Sequence, residues 1–169
     1  EQAADKLLAV LAEDVSYKNR VEAIKSLGQL GPSAAHAVPA LQGVALGGRG
    51  SQGTAPFLLT RRMQPFKVNV LIRSDAIESL GRIGSEEAIP LLVTLLLKAE
   101  QELAADGLPY YVQSAKALGR IVSDDPRVVA SLSRGRRLRG TGPAIEKARL
   151  AADTALRQIE SRNKQKMED

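Results

Sequence analysis

Cysteine is absent from this chain, which removes disulfides, thiolate zinc sites and cysteine nucleophiles together. Histidine occurs once, as His36, so a multi-histidine metal centre cannot be assembled. No His-Glu pair accompanies it, and it reads as a surface or capping residue. Tryptophan is missing and the aromatics are only Tyr17, Phe57, Phe66, Tyr110 and Tyr111, so any core is aliphatic and built from small side chains. The longest apolar run, Ala88 to Leu97, is too short to cross a bilayer, which takes roughly 20 residues. The glycine-rich GGRGSQG lacks the Gly-Lys-Ser/Thr of a phosphate-binding loop and follows no strand. No nucleophile elbow surrounds any serine. These absences predict no enzyme active site, no cofactor and no metal. No signal peptide is visible, and the chain starts at Glu1 rather than Met. Cytoplasm is the preferred compartment, with secretion or periplasm left open by a processed N terminus.

What is present is a phrase repeated with changes. It reads RVEAIKSLGQLG from Arg20, IRSDAIESLGRIG from Ile72, VQSAKALGRIV from Val112 and ARLAADTALRQIE from Ala148. Each copy can be anchored on one leucine: Leu27, Leu80, Leu118 and Leu156. Four residues earlier stand Ala23, Ala76, Ser114 and Ala152; three later stand Leu30, Ile83, Ile121 and Ile159. Seven earlier stand Arg20, Arg73, Tyr111 and Arg149. These offsets share one helical face. Gly28, Gly81 and Gly119 follow the anchor; a helical glycine costs about 1 kcal/mol against alanine, and its repetition points to close backbone packing.

Between the anchored helices lie shorter apolar ones. Ser33 is the expected N-cap of SAAHAVPALQGVALG. Glu86 and Glu87 favour the N-terminus of EEAIPLLVTLLLKAE. Asp125 and Pro126 form a cap and first position for DPRVVASLS. The unit is a short helix, a turn and an anchored helix.

This unit resembles the HEAT repeat, in its bacterial, PBS-lyase-type form with an R-x-x-A-x-x-x-L-G-x-[IL]-G second helix. The first two copies match closely, the third lacks the arginine and the fourth lacks the glycine. Asp14 fits the family's turn aspartate. The resemblance implies an all-α, right-handed α-solenoid of about four helix pairs in a single domain, 1–169. The repeats would fall at 2–31, 33–84, 86–122 and 125–161. It also implies that second helices line a concave, partner-binding face, exposing Lys25, Gln29, Glu78, Arg82, Lys116, Arg120, Thr154 and Gln158. The metal-binding hydroxylase branch of the family is not matched, for want of histidines. DNA glycosylases of related fold are disfavoured by the lack of tryptophan and of an acidic residue in an aromatic pocket. Nothing marks a bilin site.

The repeat is interrupted. Insertions are expected at 48–66, near 104–109 and at 133–143, each between the two helices of a unit. Per-repeat insertions project from one face, often the binding face. Residues 48–67 carry Arg49, Arg61, Arg62 and Lys67, and residues 133–143 carry Arg134, Arg136, Arg137 and Arg139, with no acid in either. The chain's net charge of +5 therefore comes from these two stretches. All five aromatics lie in or beside connections, where exposed aromatics among arginines mark binding surfaces. A loop edge of Arg49, Phe57, Arg61, Arg62, Phe66, Lys67, Arg134, Arg136, Arg137 and Arg139 is thus a second candidate site. The expected function is a non-enzymatic protein–protein interaction scaffold, with another protein as partner. The alternative is nucleic-acid or other polyanion binding through the arginine-rich edge.

Overall fold

The computed structural model describes residues 2–14, 16–47, 65–103 and 107–168, with side chains omitted for 65–69 and after 166. Among these residues it is all-helical, with eight α-helices and no strand. They gather into two compact units, Glu1–Ser85 and Glu86–Asp169.

The first unit holds α1 (Gln2–Glu13), α2 (Tyr17–Gln29), α3 (Val38–Ala45) and α4 (Pro65–Ile83). Helix α1 packs on α2, α3 on α4, and the second helices α2 and α4 on each other. The anchor face read from the sequence is the core: Ala23, Ile24, Leu27, Ala76, Ile77 and Leu80 are essentially inaccessible. The glycine after the anchor is explained by contact. A Cβ on Gly28 would lie 2.9 Å from Ser79 Cα, nearer than real side chains come. The Ser79 hydroxyl in turn donates to the Ile24 carbonyl at 2.9 Å.

The second unit holds α5 (Ile89–Gln101), α6 (Gly107–Arg120), α7 (Pro126–Arg136) and α8 (Pro143–Glu168). Helix α5 packs on α6, α7 on α8, α6 on α8 and α5 on α7. First helices thus meet first helices, and second helices meet second. The glycine contact recurs in register: a Cβ on Gly119 would lie 2.9 Å from Ala155 Cα. Ser79 and Ala155 each precede the next copy's anchor leucine, so glycine meets the same repeat position in both units.

The turns leaving the anchored helices shorten along the chain. The proline that opens the following helix stands twelve, ten and eight residues after Leu27, Leu80 and Leu118. The two longer turns share one construction. Gly31 and Gly84 take φ of +59° and +76°, a left-handed step that glycine allows without strain. A 3-10 turn follows (31–37 and 86–88), and Pro39 and Pro90 then sit at the second position of α3 and α5. The shortest turn uses no such step. Asp125 caps α7 by accepting from Arg127 N at 2.9 Å, with Pro126 first in the helix. Ser33 is not the N-cap expected of it: it lies inside the 3-10 turn, and α3 starts five residues later behind Ala37. At the α1–α2 turn Asp14 accepts from Ser16 N (2.7 Å) and Asn19 Nδ2 (2.8 Å). The Asn19 bond, then the Ser16 bond, hold its carboxyl below the usual range.

Three expected insertions are shorter than the sequence suggested. Helix α4 already begins at Pro65, α6 at Gly107, and α7 runs on to Arg136.

Candidate partner-binding groove

The arginine seven residues before the anchor has a local task. Arg73 Nε donates to the carbonyl of Ala45, the last residue of α3, at 2.8 Å. Arg149 Nε donates to the Leu138 carbonyl at 2.8 Å, and its Nη2 to Gly140 O at 2.9 Å, just beyond α7. A cation at the carbonyl end of the preceding helix offsets the negative end of its dipole and uses acceptors the helix leaves unpaired. Arg20 at the same register is buried. In the third copy Tyr111 takes this place and is fully buried. Its hydroxyl has no hydrogen-bond partner among the described residues. Burial, followed by the Glu100 carboxylate, pushes its pKa up to about 12.

Its burial removes Tyr111 from the aromatics expected to be exposed. Tyr17 opens α2 and Tyr110 lies in the first turn of α6, both half-buried beside a connection. Phe57, Arg49, Arg61 and Arg62 lie outside the described residues; Phe66 and Lys67 lie in the first turn of α4, with undescribed side chains. Arg134 and Arg136 sit on α7 rather than in a loop. Arg134 pairs with the largely buried Glu100 at 2.9 Å, and Arg136 reaches Asp153 at 3.9 Å. Arg137 and Arg139 are exposed beyond the helix.

The second-helix residues are all solvent-facing to some degree, and they differ between the units. In the first unit Lys25 and Gln29 on α2 and Arg82 on α4 are exposed, with Glu78 half-buried. Arg82 pairs with Glu78 at 2.8 Å, and Lys25 with Glu22 at 3.7 Å. Asp75 on the same side of α4 has its carboxyl raised, first by burial and then by Glu78 and Glu22 against the opposing Lys25. This face is of mixed charge.

In the second unit, Lys116 and Arg120 on α6 and Thr154 and Gln158 on α8 are exposed. There the two helices flank an open groove of about 560 Å³ lined by Gly119, Arg120, Thr154, Arg157, Gln158, Ser161 and Arg162. The α8 contributors recur at three- and four-residue intervals, one stripe of a helix. The groove exists because α6 stops at Arg120 whereas α8 runs on to Glu168. Arg162 bridges the step: its Nη1 donates to Arg120 O at 2.8 Å and its Nη2 to Gly119 O at 2.5 Å. Burial pulls its pKa below the usual arginine value, yet a guanidinium stays charged in such a site. Arg157 projects into solvent and pairs with Asp153 one turn back at 2.8 Å. Sequence reasoning found Arg120, Thr154 and Gln158 but not Arg157, Ser161 or Arg162. The i, i+3, i+4, i+7, i+8 stripe of α8 was the available signal.

A second groove in this unit, about 550 Å³, is lined by Glu86, Ile89, Pro90, Ser123, Asp124, Asp125 and Arg127. Its Asp125 is held below the usual carboxylate range by Arg127, through side-chain and then backbone hydrogen bonds. No group of three or more His, Cys, Asp or Glu among the described residues could hold a metal ion. No helix among them is long and apolar enough to cross a membrane. His36 is exposed and meets Asp5 of α1 at 3.0 Å.

Paired helices stacked first on first and second on second define a helical repeat protein. Residues 72–98, from α4 through the glycine-led turn into α5, match the family model described as PBS lyase HEAT-like repeat. That segment is thus similar to a HEAT-like repeat, which supports a helical repeat of the HEAT type. No curated protein and no solved structure matches it.

Proposed function

We propose that this protein is a non-enzymatic docking scaffold. In this reading it is a right-handed α-solenoid of four HEAT-like helix pairs whose second helices carry the surface for another protein. The observation that carries the reading is the α6–α8 groove. It is an open depression rimmed by arginine, threonine, serine and glutamine side chains, and it is built from second helices at their repeat positions. HEAT-like repeats commonly mediate protein interactions, which agrees with it. The face of Lys25, Gln29, Glu78 and Arg82 would be a further contact area.

Polyanion binding through the arginine-rich edge draws less support. Arg134 and Arg136 are engaged with Glu100 and Asp153, which lowers the charge that the edge can offer.

The test is affinity capture with wild type, Arg82→Glu and Arg120→Glu as parallel baits, each checked for folding by circular dichroism. Proteins retained by wild type and lost with Arg120→Glu support docking at the groove. An identical set on all three baits moves the site to the loop edge.

A further inference from the structure

We propose that the α6–α8 groove takes an acidic peptide segment of the partner, its carboxylates set against Arg120, Arg157 and Arg162. The proposal rests on the scaffold reading and adds the chemistry of what is held. Three guanidiniums line the groove and no carboxylate does. A guanidinium has five N–H donors in a planar fork that matches a carboxylate. The hydrogen bonds of Arg162 to the Gln158, Arg120 and Gly119 carbonyls engage one N–H on each of its nitrogens, leaving two for a ligand. The Arg157 side chain is 78 % exposed, and Asp153 takes only its Nη2. Thr154 donates to the Leu150 carbonyl at 2.8 Å, so its oxygen can accept from a ligand N–H. Gln158 and Ser161 can serve the backbone of an extended chain in both senses.

The size of the groove agrees. Its α8 stripe spans Thr154 to Arg162, roughly 12 Å at the helical rise, the length of about four extended residues. That is room for two or three carboxylates. The contrast with the first unit sets the location: Glu22, Asp75 and Glu78 stand among Lys25 and Arg82 there, and an anionic segment gains little. Single-stranded nucleic acid is the weaker fit, because such sites stack bases on aromatic side chains and no lining residue is aromatic.

The experiment is fluorescence polarisation with a labelled peptide of Glu, Asp and Ser, read from low to physiological salt. The proteins are wild type, Arg120→Glu, Arg157→Glu and, as a control outside the groove lining, Lys147→Glu, with melting curves confirming the fold of each. Arg162 is left intact because it holds the end of α6. The expected result is saturable binding that weakens with salt, falls roughly tenfold in each arginine variant and holds in Lys147→Glu. No saturable binding to wild type, or equal weakening in Lys147→Glu, overturns the proposal. So does a single-stranded oligonucleotide that binds more tightly and is lost in the same variants. If the acidic peptide fails while captured proteins still depend on Arg120, the scaffold reading stands and this inference falls. If neither depends on Arg120, both fall.

Discussion

Gly135→Ala puts the packing of the second unit to a quantitative test. Gly135 lies in α7 over the buried hydroxyl of Tyr111. An added Cβ would fall inside the envelope of that oxygen, with Ala152 Cβ at 3.1 Å and Tyr111 Cζ at 3.2 Å. Tyr111 is fully buried, so the phenol cannot swing into solvent to make room. Alanine gains about 1 kcal/mol of helix propensity over glycine, whereas overpacking a filled site costs about 1–3 kcal/mol. A clash with the tip of a fixed ring belongs at the upper end or beyond, so the net loss is about 2 kcal/mol. Tyr111→Phe removes the oxygen. The hydroxyl has no partner among the described residues, so this change alone is nearly neutral. In the double variant only the contacts at 3.1 and 3.2 Å remain, and most of the loss is recovered. The coupling energy is therefore about 2 kcal/mol, large for a pair in contact. Urea unfolding of the four proteins measures it, with a melting shift of about 2–4 °C per kcal/mol for a chain of this length. A neutral Gly135→Ala, or additive losses in the double variant, refutes the close approach of glycine and phenol.

Three further outcomes follow from the same packing. Leu80→Ala, at a position with no accessible surface, should cost about 2–5 kcal/mol; an unchanged melting temperature removes Leu80 from the core. Gly119→Ala should destabilise despite alanine's better propensity, because its Cβ meets Ala155 at 2.9 Å; a rise in melting temperature contradicts the close α6–α8 approach. Asp75→Asn should be pH-dependent. Burial raises the folded pKa of Asp75 above its unfolded value, so its contribution is fully present below the unfolded pKa and is lost as pH rises through the folded one. The asparagine variant should thus melt higher than wild type at neutral pH and equally in strong acid. A lower melting point at neutral pH contradicts this sign.

The anchored helices were legible because a helix repeats its faces every three or four residues. Leu27, Leu80, Leu118 and Leu156 are all buried as that period demands. Helix ends were less so. Gly107 looks like a loop residue, yet it is buried at the start of α6, and Pro65 stands at the first position of α4, where proline is tolerated. Tyr111 was legible as a member of the anchor face at minus seven, but its full burial and the close approach of Gly135 on α7 were not. The carbonyl bonds of Arg73 and Arg149 involve partners 28 and 11 residues away, beyond what local periodicity reports. The groove depends on α8 overrunning α6, a difference in helix length hidden by the charged tail after Ser161.

The central claim, that the second helices of the last two pairs form the docking surface, is tested most directly by amide NMR. The labelled 18.1 kDa chain would be titrated with the acidic peptide. The account predicts shifts confined to the residues about Lys116–Arg120 on α6 and Thr154–Arg162 on α8. Shifts centred on residues 48–67 or 137–142, with the α6–α8 stripe silent, would contradict it.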